Sequence, residues 1–263
     1  MLDLRFSDSE LQARHDTIVG FIEDTVTAAG TDGAVMGLSG GIDSTLTAHL
    51  AVDALGADGL YGLVLPGSVS DDENMSDAER VAEDLGIDYD VIEIEPLVDA
   101  FLSVYPEASG HREAVGNLRA RSRAVLNYLV ANADNRLVLG TGNRSEAAIG
   151  YFTKYGDGAV DCHPIGNLYK VQVRQLARHV GVDEDLVTKI PTAGLWEGQT
   201  DEEELGIGYE TLDPILALHI HGPLSTAATA ESLEIEEETV EHVAELNAAS
   251  QHKRVVPPSP TPP

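Results

Sequence analysis

VMGLSGGIDSTLTAHLA, residues Val35–Ala51, carries an apolar strand pattern into Ser39-Gly40-Gly41 and out again as a helical pattern. Two glycines at such a junction give up packing and order, so bare backbone is needed there. With Ser39 they gather backbone N–H groups at a helix N-terminus, an anion site that uses no side-chain charge. Neither the G-x-x-x-x-G-K-[ST] of a Walker loop nor the G-x-G-x-x-G of a dinucleotide fold is present. Asp43, just after the glycines, would repel a phosphate unless a divalent cation lay between them; carboxylate plus pyrophosphate is a usual magnesium arrangement. The plain alternative is a glycine turn in which Ser39 or Asp43 caps the helix.

On the N-terminal side, Ser9 to Ala29 reads as an amphipathic helix with Leu11, Ile18, Phe21, Ile22 and Val26 on its apolar side. On the C-terminal side strands and helices alternate. GAVMGLS leads into a helix through STLTAHLAVDAL, and GLYGLVLP into one through MSDAERVAEDL. YDVIEIEP is followed by a helix from about Gly116 to Ala133, and then by RLVLGTGN. Strands with helical crossovers predict an α/β fold, a doubly wound, mostly parallel sheet with helices on both faces. Ligands of such sheets sit beyond the carboxyl ends of the strands. LSGGIDS and LGTGNRSE both fall there. After Gly150, YFTKYGDGAVDCHPIGNLYK reads as loop and VQVRQLARHVG as helix. TAGLWEGQTDEEELGIGYE reads as a polar flap over a site, centred on residues 194–206, and acidic helices fill 201–247. A single domain over residues 1–256 with a Pro-rich, extended tail at 257–263 is expected.

The 263 residues hold 45 Asp+Glu against 16 Lys+Arg, a formal net charge of −29, with 43% hydrophobic residues. Such a surface repels polyanions, which argues against a nucleic-acid partner. The acids overlie well-formed apolar segments, so the excess marks a folded, halophilic chain rather than a disordered one. In about 1 M salt the screening length falls to about 3 Å, which removes the self-repulsion. Cys162 is the one cysteine, MLDLRFSDSE has no secretory pattern, and no apolar run is long enough to span a membrane. A soluble, cytoplasmic chain is expected. Lys154, Lys170, Lys189 and Lys253 are the lysines. Where acids have replaced most surface lysines, those that remain are enriched for places that need a cation.

The S-G-G-x-D-S pattern resembles the loop of the ATP-pyrophosphatase (PP-loop) family, whose members cleave ATP between the α and β phosphates and adenylate a substrate oxygen. LGTGNRSEAAIGYFTKYGDGAVDCHPIGNLYK (Leu139–Lys170) is similar to the second signature of the NAD synthetase branch, and GNLRARSR and HKR follow that branch in order and spacing. The likeness covers about residues 10–255. It implies a Rossmann-like fold of the adenine nucleotide alpha hydrolase type. The implied reaction is ATP-dependent amidation of nicotinic acid adenine dinucleotide (deamido-NAD) to NAD, through an adenylated carboxylate, releasing AMP and pyrophosphate. It implies that Gly37, Leu38, Ser39, Gly40, Gly41, Ile42, Asp43 and Ser44 bind ATP with Thr141, Lys170 and Thr192. Asp43 and Glu146 are the implied Mg2+ ligands. Arg121, Lys154, Asp161, His252 and Lys253 are the implied deamido-NAD contacts, and a homodimer is implied, with the helices near Gly116–Ala133 and Arg174 as candidate interfaces.

In chemical terms Lys170 can neutralise charge on phosphate oxygens, and Asp161 is a candidate to hold ammonia or accept a proton from ammonium. Glutamine-dependent relatives carry an added amidase domain with a nucleophilic Cys, and neither is found in these residues; free ammonia is the implied donor, with a separate glutaminase left open. Bland readings stand beside these. Glu146 can be a solvated helix-start carboxylate, Lys154 and Asp161 a surface pair, and His252 and Lys253 part of a tail. Arg119 and Arg123 share a helix face that Arg121 leaves, so one of the three can bind substrate while the others pair with acids, and the resemblance implies that Arg121 is that one. Another adenylating or tRNA-thiolating branch, and an ATP-binding regulatory module, are the rival functions. The missing basic stripe and cysteine pairs speak against tRNA. The charge balance predicts that far-UV circular dichroism, intact in molar KCl, is lost on dialysis into dilute buffer; an unchanged spectrum there would remove the halophilic reading.

Overall fold

The computed structural model describes residues 2–260 apart from Val69, Asp71 and Glu197. Among them β1 (Ala34–Leu38), β2 (Leu60–Val64), β3 (Asp88–Val91) and β4 (Leu137–Val138) form one parallel sheet in the order β3-β2-β1-β4. The helices before β4 are α1 (Asp8–Ala29), α2 (Ile42–Leu55), α3 (Asp72–Leu85), α4 (Glu95–Val104) and α5 (Arg112–Ala133). After it come α6 (Arg144–Ile149), α7 (Lys170–His179), α8 (Glu184–Thr188), α9 (Asp201–Leu205), α10 (Tyr209–Ile215), α11 (Thr226–Leu233) and α12 (Glu237–Ala249).

Alternation along β1 shows why the sheet is covered twice. Ala34, Met36 and Leu38 join Ile18 and Ile22 of α1, Leu46 and Leu50 of α2 and Leu176 of α7 in one core. Val35 turns the other way, to Leu63, Val138, Ile94 and Ala131 of α5. The doubly wound fold expected from the sequence is thus the fold observed. A third apolar cluster joins Ile149 of α6, Leu212 and Ile215 of α10, Leu233 of α11 and Val243 of α12. Pro214 sits inside α10, and the π-helical segment Leu216–Ile220 follows it.

Local differences from the sequence reading have simple causes. Phe21 of α1 is 43% exposed whereas Leu11, Ile18, Ile22 and Val26 are buried. It lies about 100° round the helix from Ile22, at the margin of the apolar stripe. YDVIEIEP gives up its last residues to α4, whose second position is Pro96; proline suits a first helical turn. β4 is short, and Leu139 continues it with a single bridge to Cys162. Residues 151–169 are otherwise free of helix and strand, as read from their Gly and Tyr content. Within the flap, α9 forms where Thr200 caps the N–H of Glu203. The expected tail runs without helix or strand through Pro260; its last three positions lie outside the described residues. No helix among the described residues is long and apolar enough to cross a membrane.

The strand order places β2 on one side of β1 and β4 on the other. The chain leaves β1 for β2 and β3, then returns across the sheet, so a crevice opens at the carboxyl ends of β1 and β4. Ile22→Ala, at a fully buried position, is expected to cost about 2–5 kcal/mol. Phe21→Ala should cost under about 1 kcal/mol. Urea unfolding of both in concentrated KCl checks the assignment, and equal costs would contradict it.

Candidate functional site

The loop after β1 is built around Gly40, whose φ of 69° is a left-handed conformation. A Cβ there would come within 2.2 Å of the Asn74 carbonyl oxygen, so only glycine lets the loop lie against the start of α3. Gly41, not Ser39 or Asp43, is the N-cap of α2, and no side chain caps the helix. The first-turn N–H groups of α2 have no intrahelical acceptor. Gly41, Ile42, Asp43 and Ser44 line the crevice, and a helix start so placed suits an anion. Ser39 and Ser44 brace the loop, their hydroxyls 3.0 Å apart.

The loop after β4 supplies the opposite wall. Gly140 packs so closely on His163 that a Cβ would meet its ring at 2.6 Å. Asn143 caps α6, accepting from the Glu146 N–H at 3.0 Å, while Glu146 Oε2 accepts from the Asn143 N–H at 3.3 Å. The Asn143 amide also donates to Asp43 Oδ1 at 2.9 Å, which ties the two loops together. The Lys170 ammonium lies between them, bonded to Asp43 and, at 3.2 Å, to Glu146 Oε1. Its side chain is 3% exposed. Burial works against the ammonium, but Asp43 and Glu146 outweigh it and hold Lys170 charged. Burial pushes the Glu146 carboxyl up, against the pull of Lys170. The Lys170 backbone N–H donates to Ser145 Oγ at 2.9 Å, and that hydroxyl donates to buried Asp213 at 2.5 Å. Asp213 also accepts from the Val171 N–H at 2.9 Å, so one carboxylate fixes the start of α7.

Asp43 and Glu146 therefore converge on one ammonium, and two hard oxygen donors so placed would suit Mg2+. No cluster of three or more metal-binding side chains occurs among the described residues.

These loops open into a cavity of about 1140 Å³. Gly37, Leu38, Ser39, Gly41, Ile42, Asp43 and Ser44 line it, as do Thr141, Glu146, Lys170, Thr192 and Lys253; Gly40 turns behind the loop. Lys253 donates to the carbonyls of Gly150 and Phe152 at 2.7 and 2.9 Å. Arg121, Lys154, Asp161 and His252 are not in the lining. Arg121 donates to the Lys154 carbonyl at 3.2 Å, and the Lys154 ammonium to the His252 carbonyl. Asp161 accepts from the Val138 N–H at 2.8 Å and the Tyr128 hydroxyl at 3.2 Å, so within one chain it is a brace on β4. Within one chain Asp161 therefore stands outside the cavity lining. Arg119 pairs with Glu95 at 3.0 Å and holds that carboxyl down at about 2. Arg123 takes the Leu65 carbonyl at 2.9 Å rather than an acid. Burial pushes the Cys162 thiol up to about 11, which removes it as a nucleophile.

The cavity includes residues the sequence reading did not assign. Asp157, in the quoted YGDG, lines it and accepts from the Thr153 N–H at 2.9 Å. Asp201 is 4% exposed; one of its oxygens accepts from Tyr209 at 2.8 Å, and Oδ1 has no hydrogen-bond partner among the described residues. Nothing in TDEEE marks one acid off from its neighbours. The flap closes this side. Trp196 stacks under the Arg112 guanidinium at 4.5 Å, and Gln199 donates to Glu204 at 2.6 Å.

The sequence model described as NAD synthase matches residues 15–257. The NH(3)-dependent NAD(+) synthetase of Halobacterium salinarum is 64% identical over 259 residues, 98% of this chain and 97% of the relative. That of Hyperthermus butylicus is 49% identical over 263 residues, 100% of this chain and 93% of the relative. Among solved structures, NMN synthetase from Francisella tularensis is 36% identical with a TM-score of 0.84, covering 97% of this chain and 99% of that one. NH3-dependent NAD synthetase from Campylobacter jejuni is 28% identical with a TM-score of 0.80, covering 95% and 99%. With the phosphate loop, the second signature and the cavity between them in place, this chain belongs to the NAD synthase family.

Proposed function

We propose that the chain amidates deamido-NAD to NAD with ammonia and ATP in the cytoplasm, as the last step of NAD formation. The observation that carries the reading is Lys170, buried between the acid of the first signature loop and the acid of the second. ATP would lie with its phosphates on the N–H groups of the Ser39–Ser44 loop. The nicotinate carboxylate attacks the α-phosphorus, the bond to pyrophosphate breaks, and a mixed anhydride with AMP forms. Ammonia then attacks the acyl carbon, the bond to AMP breaks, and the nitrogen loses a proton. Asp43 and Glu146 would hold Mg2+, whose charge offsets that of the phosphates when bound. Lys170 donates to phosphate oxygens where negative charge develops. Holding both anions in one cavity supplies much of the acceleration. Asp157, which faces the cavity as Asp161 does not, is the better placed carboxylate for the ammonium proton.

We further propose a homodimer. Phe101 and Val104 of α4 are 58% and 84% exposed, and Val125 and Leu129 of α5 are 64% and 62% exposed. Arg121, Val125 and Leu129 stand four residues apart on one face of α5, and Tyr128 beside them leads to Asp161. The expected dinucleotide contacts that miss the cavity thus adjoin an apolar surface that a second copy would cover. A shorter acceptor, nicotinic acid mononucleotide, is a second reading, favoured by the likeness to the Francisella NMN synthetase.

Purified protein in molar KCl with Mg-ATP, ammonium and either acceptor should yield amide, AMP and pyrophosphate in equal amounts. Faster turnover of deamido-NAD supports the proposal, faster turnover of the mononucleotide supports the second reading, and no ATP cleavage defeats both. Lys170→Met should lower kcat by about 100-fold or more. The pH dependence of stability tests the support beneath Lys170. Burial raises the Asp213 carboxyl to about 6, against about 3.9 in an unfolded chain. Between those values the folded state holds a proton that the unfolded state has released. Stability from this group is therefore greatest at low pH and falls as pH rises through about 6, by ~2–3 kcal/mol in all. Urea midpoints of wild type relative to Asp213→Asn should drop from pH 4 to pH 7; parallel curves would show that Asp213 does not titrate in this window.

A further inference from the structure

We propose that Lys189 is a contact for the β and γ phosphates of ATP, and for the pyrophosphate that leaves; this deepens the adenylating reading and rests on it. The glycine loop offers N–H groups but, unlike a Walker loop, no lysine of its own. Lys170 cannot serve both ends of the triphosphate, because it is fixed between Asp43 and Glu146. Among the described residues Lys253 and Arg123 also line the cavity, but each is bonded to backbone carbonyls, at Gly150 and Phe152 and at Leu65.

Lys189 follows α8 and lines the same cavity as Ser39, Gly41 and Asn74. Its ammonium is paired with Asp77 of α3. That pair adjoins the glycine loop directly, since a Cβ on Gly40 would stand 3.0 Å from the Asp77 Cβ. The Lys189 side chain keeps 23% of its exposure, so it can reorient. Asp77 does not need it. Its other oxygen accepts from Arg80 at 3.1 Å, and Arg80 is anchored to Asp185 of α8 at 2.8 Å. The acid stays paired when the ammonium swings across to a phosphate. Asp77 therefore parks Lys189 beside the cradle, and a more negative partner, the pyrophosphate end of ATP, draws it off. A charge-assisted contact inside the cavity is screened less than a surface pair, so it persists in concentrated salt.

Equilibrium titration of the whole chain in molar KCl with magnesium, using ATP and AMP separately, tests this. AMP lacks the phosphates in question. Lys189→Met should weaken ATP about 10- to 100-fold and leave AMP unchanged. Asp77→Asn, which frees the ammonium without removing it, should bind ATP as well as wild type or better. A purely structural pair predicts instead that both variants lose ATP and AMP alike, and that result, or unaltered ATP affinity in Lys189→Met, overturns the proposal. If Lys189→Met does not fold, ATP binding weakened by Asp77→Asn alone overturns it equally. Wild-type protein that is folded and binds no ATP would instead remove the adenylating reading itself.

Discussion

Everything at the crevice hangs on one buried ammonium between two carboxylates. Lys170 is brought there by α7, Asp43 by the loop after β1, and Glu146 by α6. Burying the ammonium is tolerable only because both acids are already in place. Burying the two acids side by side is tolerable only because the ammonium is there. The group thus specifies the relative placement of three elements as well as binding charge. Its supports are equally shared: Asn143 spans the two loops, and Asp213 secures Ser145 and the first N–H groups of α7. Asp213 belongs to α10, so it joins the helices of the C-terminal apolar cluster to Ser145 of α6 and to the start of α7.

The acidic composition gives this arrangement its context. Lys170, Lys189 and Lys253, three of the chain's lysines, line the cavity, and Lys154 lies on the Arg121–His252 chain of contacts next to it. A surface lysine in molar salt contributes little, because an exposed pair is both solvated and screened. Half-buried lysines keep their worth, since low local polarity preserves their interactions. Substitution by acids can therefore proceed over the surface while sparing the crevice.

Most of the fold was legible because it rests on local rules. Apolar β1 before a glycine pair, the i, i+4 spacing of Ile18, Ile22 and Val26, and alternation of strands with helices all survive in the structure. So does the placement of the two signature loops at the cavity, which follows from short loops at strand ends. What was not legible depends on distant contacts. Asp161 and Asp157 stand four residues apart in one irregular segment, where no helical or strand period fixes which faces inward; the bridge of Cys162 to Leu139 turns Asp161 onto β4. Asp201 is one acid in a run of them, and only Tyr209 singles it out. Phe21 was misplaced because a margin of a stripe is set by what packs beside it.

A cavity that must hold two anions in a chain of net charge −29 poses an electrostatic problem. Among the described residues its lining includes the bases Arg123, Lys170, Lys189 and Lys253, and also the acids Asp43, Glu113, Glu146, Asp157, Asp201 and Glu204. Side-chain charge alone therefore does not favour ATP there. Long-range steering cannot help either, because in molar salt fields die within about 3 Å. Attraction has to come from contacts, beginning with the uncapped N–H groups at the start of α2 and the buried ammonium of Lys170. Each works only at bonding distance. That is why the loop needs glycine at position 40, where the backbone closes on Asn74 with no room for a side chain.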